Sequence, residues 1–402
     1  VSARLGLLLA SGIALSAILL GGCGGNGTPS ALGVSQPQVL DYGGPVLTAP
    51  TVQPIAYGDD ENLADMEAFL QELTRTTYWS DATSQYGVGA LTVLPTLHQP
   101  GTAPATLTDD QVNAALEENL TGASGAWGAP SASTIYLFLV PKQTALTGPG
   151  GACCTQYDGY HSQSTTPLGA AGVYATYAMS CACPGFDGPS VTDVQQRTVV
   201  ISHELVEAAT DPLVQTNPAY LGESATFLAW TLVTGGETAD LCWSFPDANV
   251  VPPGSTYMIQ RVWSNEAASA GQNPCVPVVT KDPFFESVPQ LPGVVAVPTG
   301  GASIDTAGVT IPVGGSKTID VALQSDAPTK GPWSVMAVDG HVLDTDTSYL
   351  KLSLDKATGQ SGDTLHLTIE VTASDPELHV EPFVIISTLN GQSSLSMGLV
   401  GQ

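Results

Sequence analysis

The sequence predicts an α+β protein built in two parts: a mixed helix-and-strand domain over residues 57–280, then an antiparallel immunoglobulin-like β-sandwich over residues 306–402. Three observations carry this expectation. "TDVQQRTVVISHELVEAATDP" (192–212) has apolar residues at helical spacing, with Asp211-Pro212 as its stop. "STIYLFLVP" (133–141) is an unbroken apolar run of strand length, the pattern of a strand buried on both faces. Beyond Gly293 the helical period gives way to short alternating segments between turn signals, such as "KTIDVAL" (317–323) and "DTLHLTIEVT" (363–372).

In chain order, "VSARLGLLLASGIALSAILLGGC" opens with one basic residue, Arg4, then an apolar run, then small residues leading to Cys23. Residues 1–22 read as a signal peptide. Leu20-Gly21-Gly22-Cys23 fits a bacterial lipobox, so Cys23 is the expected lipidation site and the link to the membrane. A plain signal peptide with an incidental cysteine is the alternative. Residues 23–56, rich in glycine and proline at their start, read as a lipid-anchored flexible tether. Gly24 follows the anchor where aspartate would favour the inner membrane, so the expected location is the outer membrane or cell surface.

"DDENLADMEAFLQELTRTTYW" (59–79) places Leu63, Met66, Phe69, Leu70 and Leu73 on one helical face behind capping aspartates. "GVGALTVLP" (87–95) reads as a strand, and "LTDDQVNAALEENL" (107–120) as a helix opened by the capping box Thr108-x-x-Gln111. "GVYATYAMS" (172–180) and "STYMIQRVWSN" (255–265) read as further strands. Residues 281–305 read as a proline-rich linker.

Besides Cys23 the chain has Cys153, Cys154, Cys181, Cys183, Cys242 and Cys275. An even count in an exported chain argues for disulfides. Neighbouring cysteines bond each other only with strain, so the adjacent pair and the "CAC" pair are expected to join, and Cys242 to meet Cys275. A four-thiolate zinc knot is the weaker rival, because the spacing lacks the usual form. The formal charge of −27, from 10 basic and 37 acidic residues, excludes a nucleic-acid partner and concentrates cations near the surface.

The helix over 192–212 holds the chemistry. Residues placed at about 100° intervals put Gln196, Arg197, His203, Glu204, Glu207 and Asp211 in one narrow polar arc. The bland reading is a solvated face with His203 and Glu207 as an ordinary ion pair. The functional reading is a zinc site. His203 and Glu207 lie one turn apart and reach one ion, while Glu204 is rotated away, as suits a general base acting on water that the metal activates. A further ligand is expected from "GGETADLCW" (235–243), which offers Glu237 and Asp240 beside Cys242. His161 in "GYHS" is a further loop candidate. His341, His366 and His379 read as structural.

Taken in order, "YWSDATSQYGV", "YDGYHS", "VYATYAMSCACPGF", "VISHELVEAATDP", "GETADLCW" and "YMIQRVWSNEAASAGQNPCV" resemble the phosphate-induced, or EXORDIUM-like, family and its bacterial relatives. The likeness spans about residues 57–276 and implies an extracytoplasmic protein, with no established reaction. The H-E-x-x-E helix also resembles the active-site helix of zincin metallopeptidases, which implies a zincin-like fold for the first domain. Glu207 stands where that pattern has a second histidine, and the more anionic ligation would make bound water less acidic. Three functions follow as expectations: a zinc-dependent peptidase acting on extracellular protein, with Glu204 as base; a non-catalytic surface protein whose HExxE cluster is structural; or a glycan- or wall-binding module using Trp230, Trp243 and Trp263.

Overall fold

The computed structural model describes residues 35–122, 125–298, 302–343, 347–376 and 378–402; the expected signal peptide and Cys23 lie outside the described residues. A mixed sheet organises the first part. Its strands run in the order Thr92–Val93, Thr51–Tyr57, Thr134–Val140, Thr176–Cys181, Gly159–Gln163, with Leu97–Gln99 also on the second. All pair in parallel except Gly159–Gln163, which closes one edge antiparallel to Thr176–Cys181. Thr134–Val140 is buried along its whole length because helices cover both faces, which is why its sequence is continuously apolar.

On one face lie helices α1 (Leu63–Leu73), α2 (Tyr78–Thr83) and α4 (Asp193–Thr210). Met66, Phe69, Trp79, Ile201 and Leu205 pack there against Val52, Ile135 and Ala178. On the other face α3 (Asp109–Thr121) sets Val112, Leu116 and Leu120 against Tyr136, Phe138 and Met179. The capping box of Thr108 and Gln111 opens α3, and a second box, Thr192 with Gln195, opens α4. Each box satisfies backbone donors that the first helical turn leaves unpaired.

The structure departs from the sequence reading in several places. The aspartates ahead of α1 do not cap it: Asn62 is the N-cap, without a side-chain bond, and Asp60 instead binds the buried Arg197 at 2.7 and 2.8 Å. Only Thr92–Val93 of the segment 87–95 forms a strand; Gly89 presses so closely on the Thr48 carbonyl that a Cβ would stand 2.0 Å from its oxygen. The apparent strand 255–265 is broken at Arg261, whose buried guanidinium binds Asp247 and the Cys275 carbonyl. Ile259–Gln260 then pairs with Asn249–Val250, and Val262–Trp263 with Cys275–Val276. The later part of the expected tether is folded instead, since Val39–Asp41 pairs with Tyr220–Glu223 and Thr51–Tyr57 lies inside the mixed sheet.

The linker expected over residues 281–305 is also corrected. Phe285–Pro289 pairs with Ser316–Ser325, and Gly293–Pro298 with Ser303–Thr310. Pro289 and Pro298 stand at strand ends, where a missing N–H costs little of the ladder. These strands belong to two facing sheets. One has four antiparallel strands, ordered Phe285–Pro289, Ser316–Ser325, Thr364–Val371, Leu350–Leu354. The other has six, ordered Gly293–Pro298, Ser303–Thr310, Gln392–Gly401, Val380–Leu389, Trp333–Asp339, Thr358–Gly359, antiparallel except for the second with the third.

Val321, Leu365, Leu367, Trp333, Phe383 and Val400 fill the space between the sheets. The outer face of the six-stranded sheet is buried too: Val297, Val384 and Leu399 share a core with Leu228 and Leu232 of α5 (Leu228–Thr234). The two parts are therefore joined by an apolar core. Overall the chain is α+β, with several antiparallel sheets.

Candidate metal centre

The polar arc of α4 does not face water. Every residue from Gln196 to Thr210 is buried, which removes the solvated-face reading. Buried polar groups need partners, and those on this arc find them on neighbouring segments. The Gln196 amide donates to Asp158 at 2.9 Å and accepts from the Cys183 amide at 3.1 Å. Arg197 takes Asp60. His203, Glu204, Glu207 and Asp211 face a cluster that three other segments complete.

The edge strand Gly159–Gln163 supplies His161. Sequence reasoning placed this residue in a loop as a minor candidate; the structure puts it beside α4, in the cluster itself. Gly159 permits the approach, since a Cβ there would lie 2.4 Å from Val200 Cγ1 and 3.0 Å from Glu204 Oε1. Two disulfides, Cys153–Cys181 and Cys154–Cys183, fasten the turn before this strand to its neighbour. The segment 235–240 supplies Glu237 and, at the start of α6 (Asp240–Trp243), Asp240. The backbone amides of Ala239 and Asp240 donate to Glu207 Oε1 at 3.2 and 3.1 Å, holding this segment on α4. The third disulfide, Cys242–Cys275, pins α6 from the other side. With their thiols joined in this way, the cysteines leave no thiolate set for a zinc knot.

His203 Nε2 lies 3.1 Å from Glu207 Oε2 and 3.5 Å from Asp240 Oδ1. His161 Nδ1 lies 3.6 Å from Glu207 Oε2 and 3.8 Å from Glu204 Oε2, and its Nε2 lies 3.4 Å from Glu237 Oε1. Ligands about 2.0–2.1 Å from a tetrahedral zinc stand roughly 3.4 Å from each other, so these groups are near enough to one another to share an ion. His203 is also oriented. Its Nδ1 meets Gln260 Oε1 at 3.0 Å, and the Gln260 amide donates to the Ala239 carbonyl at 2.8 Å. An amide whose nitrogen donates presents its oxygen as acceptor, so Nδ1 carries a proton and Nε2 is the ring atom directed at the carboxylates.

The electrostatics of the cluster are one-sided. Glu204, Glu207, Asp211, Glu237 and Asp240 face two imidazoles. The buried guanidiniums of Arg197 and Arg261 are engaged by Asp60 and Asp247. Burial pushes the Glu207 carboxyl up, but the adjoining imidazoles outweigh it and hold it below the ordinary range. Burial and the surrounding carboxylates push Glu237 well up, against the pull of His161. Burial raises Asp211 to about 7. Burial would lower His161, yet Glu237 and the bonds to Glu204 and Glu207 raise it well above the usual histidine value. Such mutual distortion follows from burying unlike titratable groups against one another.

A cavity of about 280 Å³ lies against His203 and Gln260, walled by Tyr157, Phe186, Trp243 and Phe245. Trp230 and Trp263 do not serve as platforms: both are core residues, in edge contact at 5.3 Å. In the sandwich, His341 is buried against Glu381 at 3.1 Å and His366 bonds Asp320 at 2.9 Å. Gln260 and Gly159 are the site residues that sequence reasoning missed. A lone glutamine in a strand carries no signal, and Gly159 gave only its place next to "YHS".

No family model matches the chain, and no curated protein matches it in sequence. Among solved structures, the surface layer protein SbsC, domains 1–6, is similar at 14% identity with a TM-score of 0.18. That match covers 39% of this chain and 19% of the other, too little to define a shared fold. The three disulfides are features of a chain folded in an oxidising compartment.

Proposed function

We propose that this is an exported surface protein, anchored through a lipid on Cys23, whose first part is a zincin-like, EXORDIUM-like domain and whose second is an immunoglobulin-like sandwich. In this reading the first part is a zinc-dependent hydrolase of extracellular peptides. His203 and Glu207 hold the ion, with Asp240 from the segment after α5. One observation carries the proposal: a buried cluster of carboxylates around two imidazoles, at ligand-to-ligand distances, with both neighbouring guanidiniums engaged elsewhere. Zinc fits imidazole and carboxylate donors, whereas calcium and magnesium favour oxygen donors alone.

Bound zinc supplies a Lewis acid that makes water nucleophilic near neutral pH and polarises a carbonyl. The chain's own residues do the rest. Gln260 fixes the His203 tautomer, Glu204 takes the proton from the attacking water, and the cavity beside His203 receives part of the substrate. A second reading, a structural metal in a non-catalytic protein, is favoured by the depth of the cluster, where His203, Glu204 and Glu207 are each no more than 3% exposed. A wall- or glycan-binding role loses two of its three tryptophans to the core. The high negative charge leaves no footprint for nucleic acid.

The test is metal content. Protein stripped with chelator and dialysed against zinc is expected to retain it, and His203→Ala to lose the ion at that position. Wild-type protein that takes up no zinc, with a His203→Ala variant of unchanged thermal stability, would overturn the proposal.

A further inference from the structure

We infer that the centre takes two divalent cations, the second held by His161 and Glu237, with Glu207 shared between them. The inference builds on the metal reading above and concerns its stoichiometry and form. Two donor sets lie within ligand reach, His203 with Glu204 and Glu207, and His161 with Glu207 and Glu237; they have only Glu207 in common. Each set has its own imidazole. His203 commits Nδ1 to Gln260, so only Nε2 faces the carboxylates, on the side of Glu207 and Asp240.

His161 Nε2 and Glu237 Oε1 are both buried without a hydrogen-bond partner, although only 3.4 Å separates them. The His161 side chain is 3% exposed, so bulk solvent does not reach it. An oxygen at that distance but off the N–H direction is misplaced for a hydrogen bond. It is well placed to share an ion about 2 Å from each atom.

Charge points the same way. Five carboxylates face two imidazoles here, so a second divalent cation meets counter-charge already in place. Buried charge is tolerated only when compensated. Paired-metal hydrolases hold their ions about 3.5–4 Å apart. Glu207 belongs to both donor sets, its Oε2 lying 3.1 Å from His203 Nε2 and 3.6 Å from His161 Nδ1.

The experiment is stoichiometry with the full exported chain, stripped and reloaded with zinc alone or cobalt(II) alone. Mass spectrometry of metal content is expected to give two equivalents for wild type and one for His161→Gln. Glu237→Gln, at a less enclosed position, is also expected to give one and serves if the histidine variant fails to fold. Cobalt-loaded wild type is expected to show a spin-coupled resonance that becomes uncoupled in either variant. One equivalent in wild type, with His161 as a ligand or an imidazolium at a single centre, overturns the inference and leaves the zinc proposal standing. Two equivalents that survive both substitutions overturn the location. No metal in wild type removes both proposals together.

Discussion

The Gln260 side chain joins His203 to the segment carrying Asp240: its oxygen meets His203 Nδ1 at 3.0 Å and its nitrogen donates to the Ala239 carbonyl at 2.8 Å. This one amide therefore sets the tautomer of a proposed ligand and the position of the loop bearing another. The Ser202 hydroxyl accepts from the Gln260 backbone amide at 3.0 Å, so the strand itself is tied to α4.

Gln260→Leu keeps the volume and removes both bonds. Zinc affinity is expected to fall roughly 10- to 100-fold, the usual effect of losing a residue that orients a ligand. Competition against a chelating dye measures it. Unchanged affinity would show that something else sets the His203 tautomer.

The Cys242–Cys275 bridge closes a sequence separation of 33 residues and holds α6, which begins at Asp240. Replacing both cysteines by alanine is expected to cost about 4 kcal/mol in urea unfolding, by the loop-entropy estimate. It is also expected to weaken zinc binding, because Asp240 is then held by the Glu207 and Gln260 hydrogen bonds without a covalent tie. A variant of wild-type stability would mean the bridge constrains nothing in the unfolded chain.

Much of this architecture is legible in the sequence because burial leaves a pattern. The Thr134–Val140 run, the α3 capping box and the disulfide partners follow from local chemistry. What stayed hidden depends on contacts distant in sequence. The arc of α4 reads as polar, hence solvated, until Gly159 brings the edge strand within reach of Glu204 and the 235–240 segment closes over Glu207. "DPFFESVPQLPGVVAVPTGG" reads as a linker because its prolines dominate, yet alternation in Val295 and Val297 seats it on the sheet. His161 shows no helical period and no spacing that ties it to α4, so only the fold brings it to Glu207.

The two parts are expected to unfold together. Ending the chain at Thr280 uncovers Leu228 and Leu232, whose partners Val297, Val384 and Leu399 lie beyond the cut. Each large apolar side chain returned to water costs about 1.5–3 kcal/mol. The truncated protein should bind a hydrophobic dye and melt roughly 10 °C or more below the full chain. Independent melting at an unchanged temperature would refute the joint core. Proteinase K should likewise spare Phe285–Pro289 and Gly293–Pro298, which are strand rather than connector.

Stability of the metal-free protein is expected to fall as pH rises. Glu286 is buried beside Gln36, and burial lifts its carboxyl from 4.5 to about 7. Folded protein therefore holds a proton that the unfolded chain releases above its ordinary value. That contribution is complete below pH 4.5 and lost as pH climbs towards 7. The loss is on the order of 3 kcal/mol. Burial lifts Glu223 to about 8 and extends the decline upward. Urea unfolding in chelator at pH 5, 6.5 and 8 reads the slope, and Glu286→Gln should flatten its lower part. Equal slopes in variant and wild type would show that Glu286 is ionised in the native state.

Glu204 separates the catalytic reading from the structural one. It neighbours His203 in the chain, sits in the same cluster, and places Oε2 3.8 Å from His161 Nδ1. Its proposed work is to accept a proton, which a neutral amide of the same shape cannot do. Glu204→Gln is therefore expected to keep its zinc while losing hydrolysis of extracellular-type peptides by about 100-fold or more. Glu207→Gln should lose metal and activity together, because that carboxylate lies 3.1 Å from His203 Nε2. Parallel metal analysis and turnover on a peptide library make the comparison. Zinc retained in wild type, with no peptide cleaved by wild type or by Glu204→Gln, would assign the cluster to holding Gly159–Gln163, α4 and α6 together, and the search for function would move to the cavity beside Trp243.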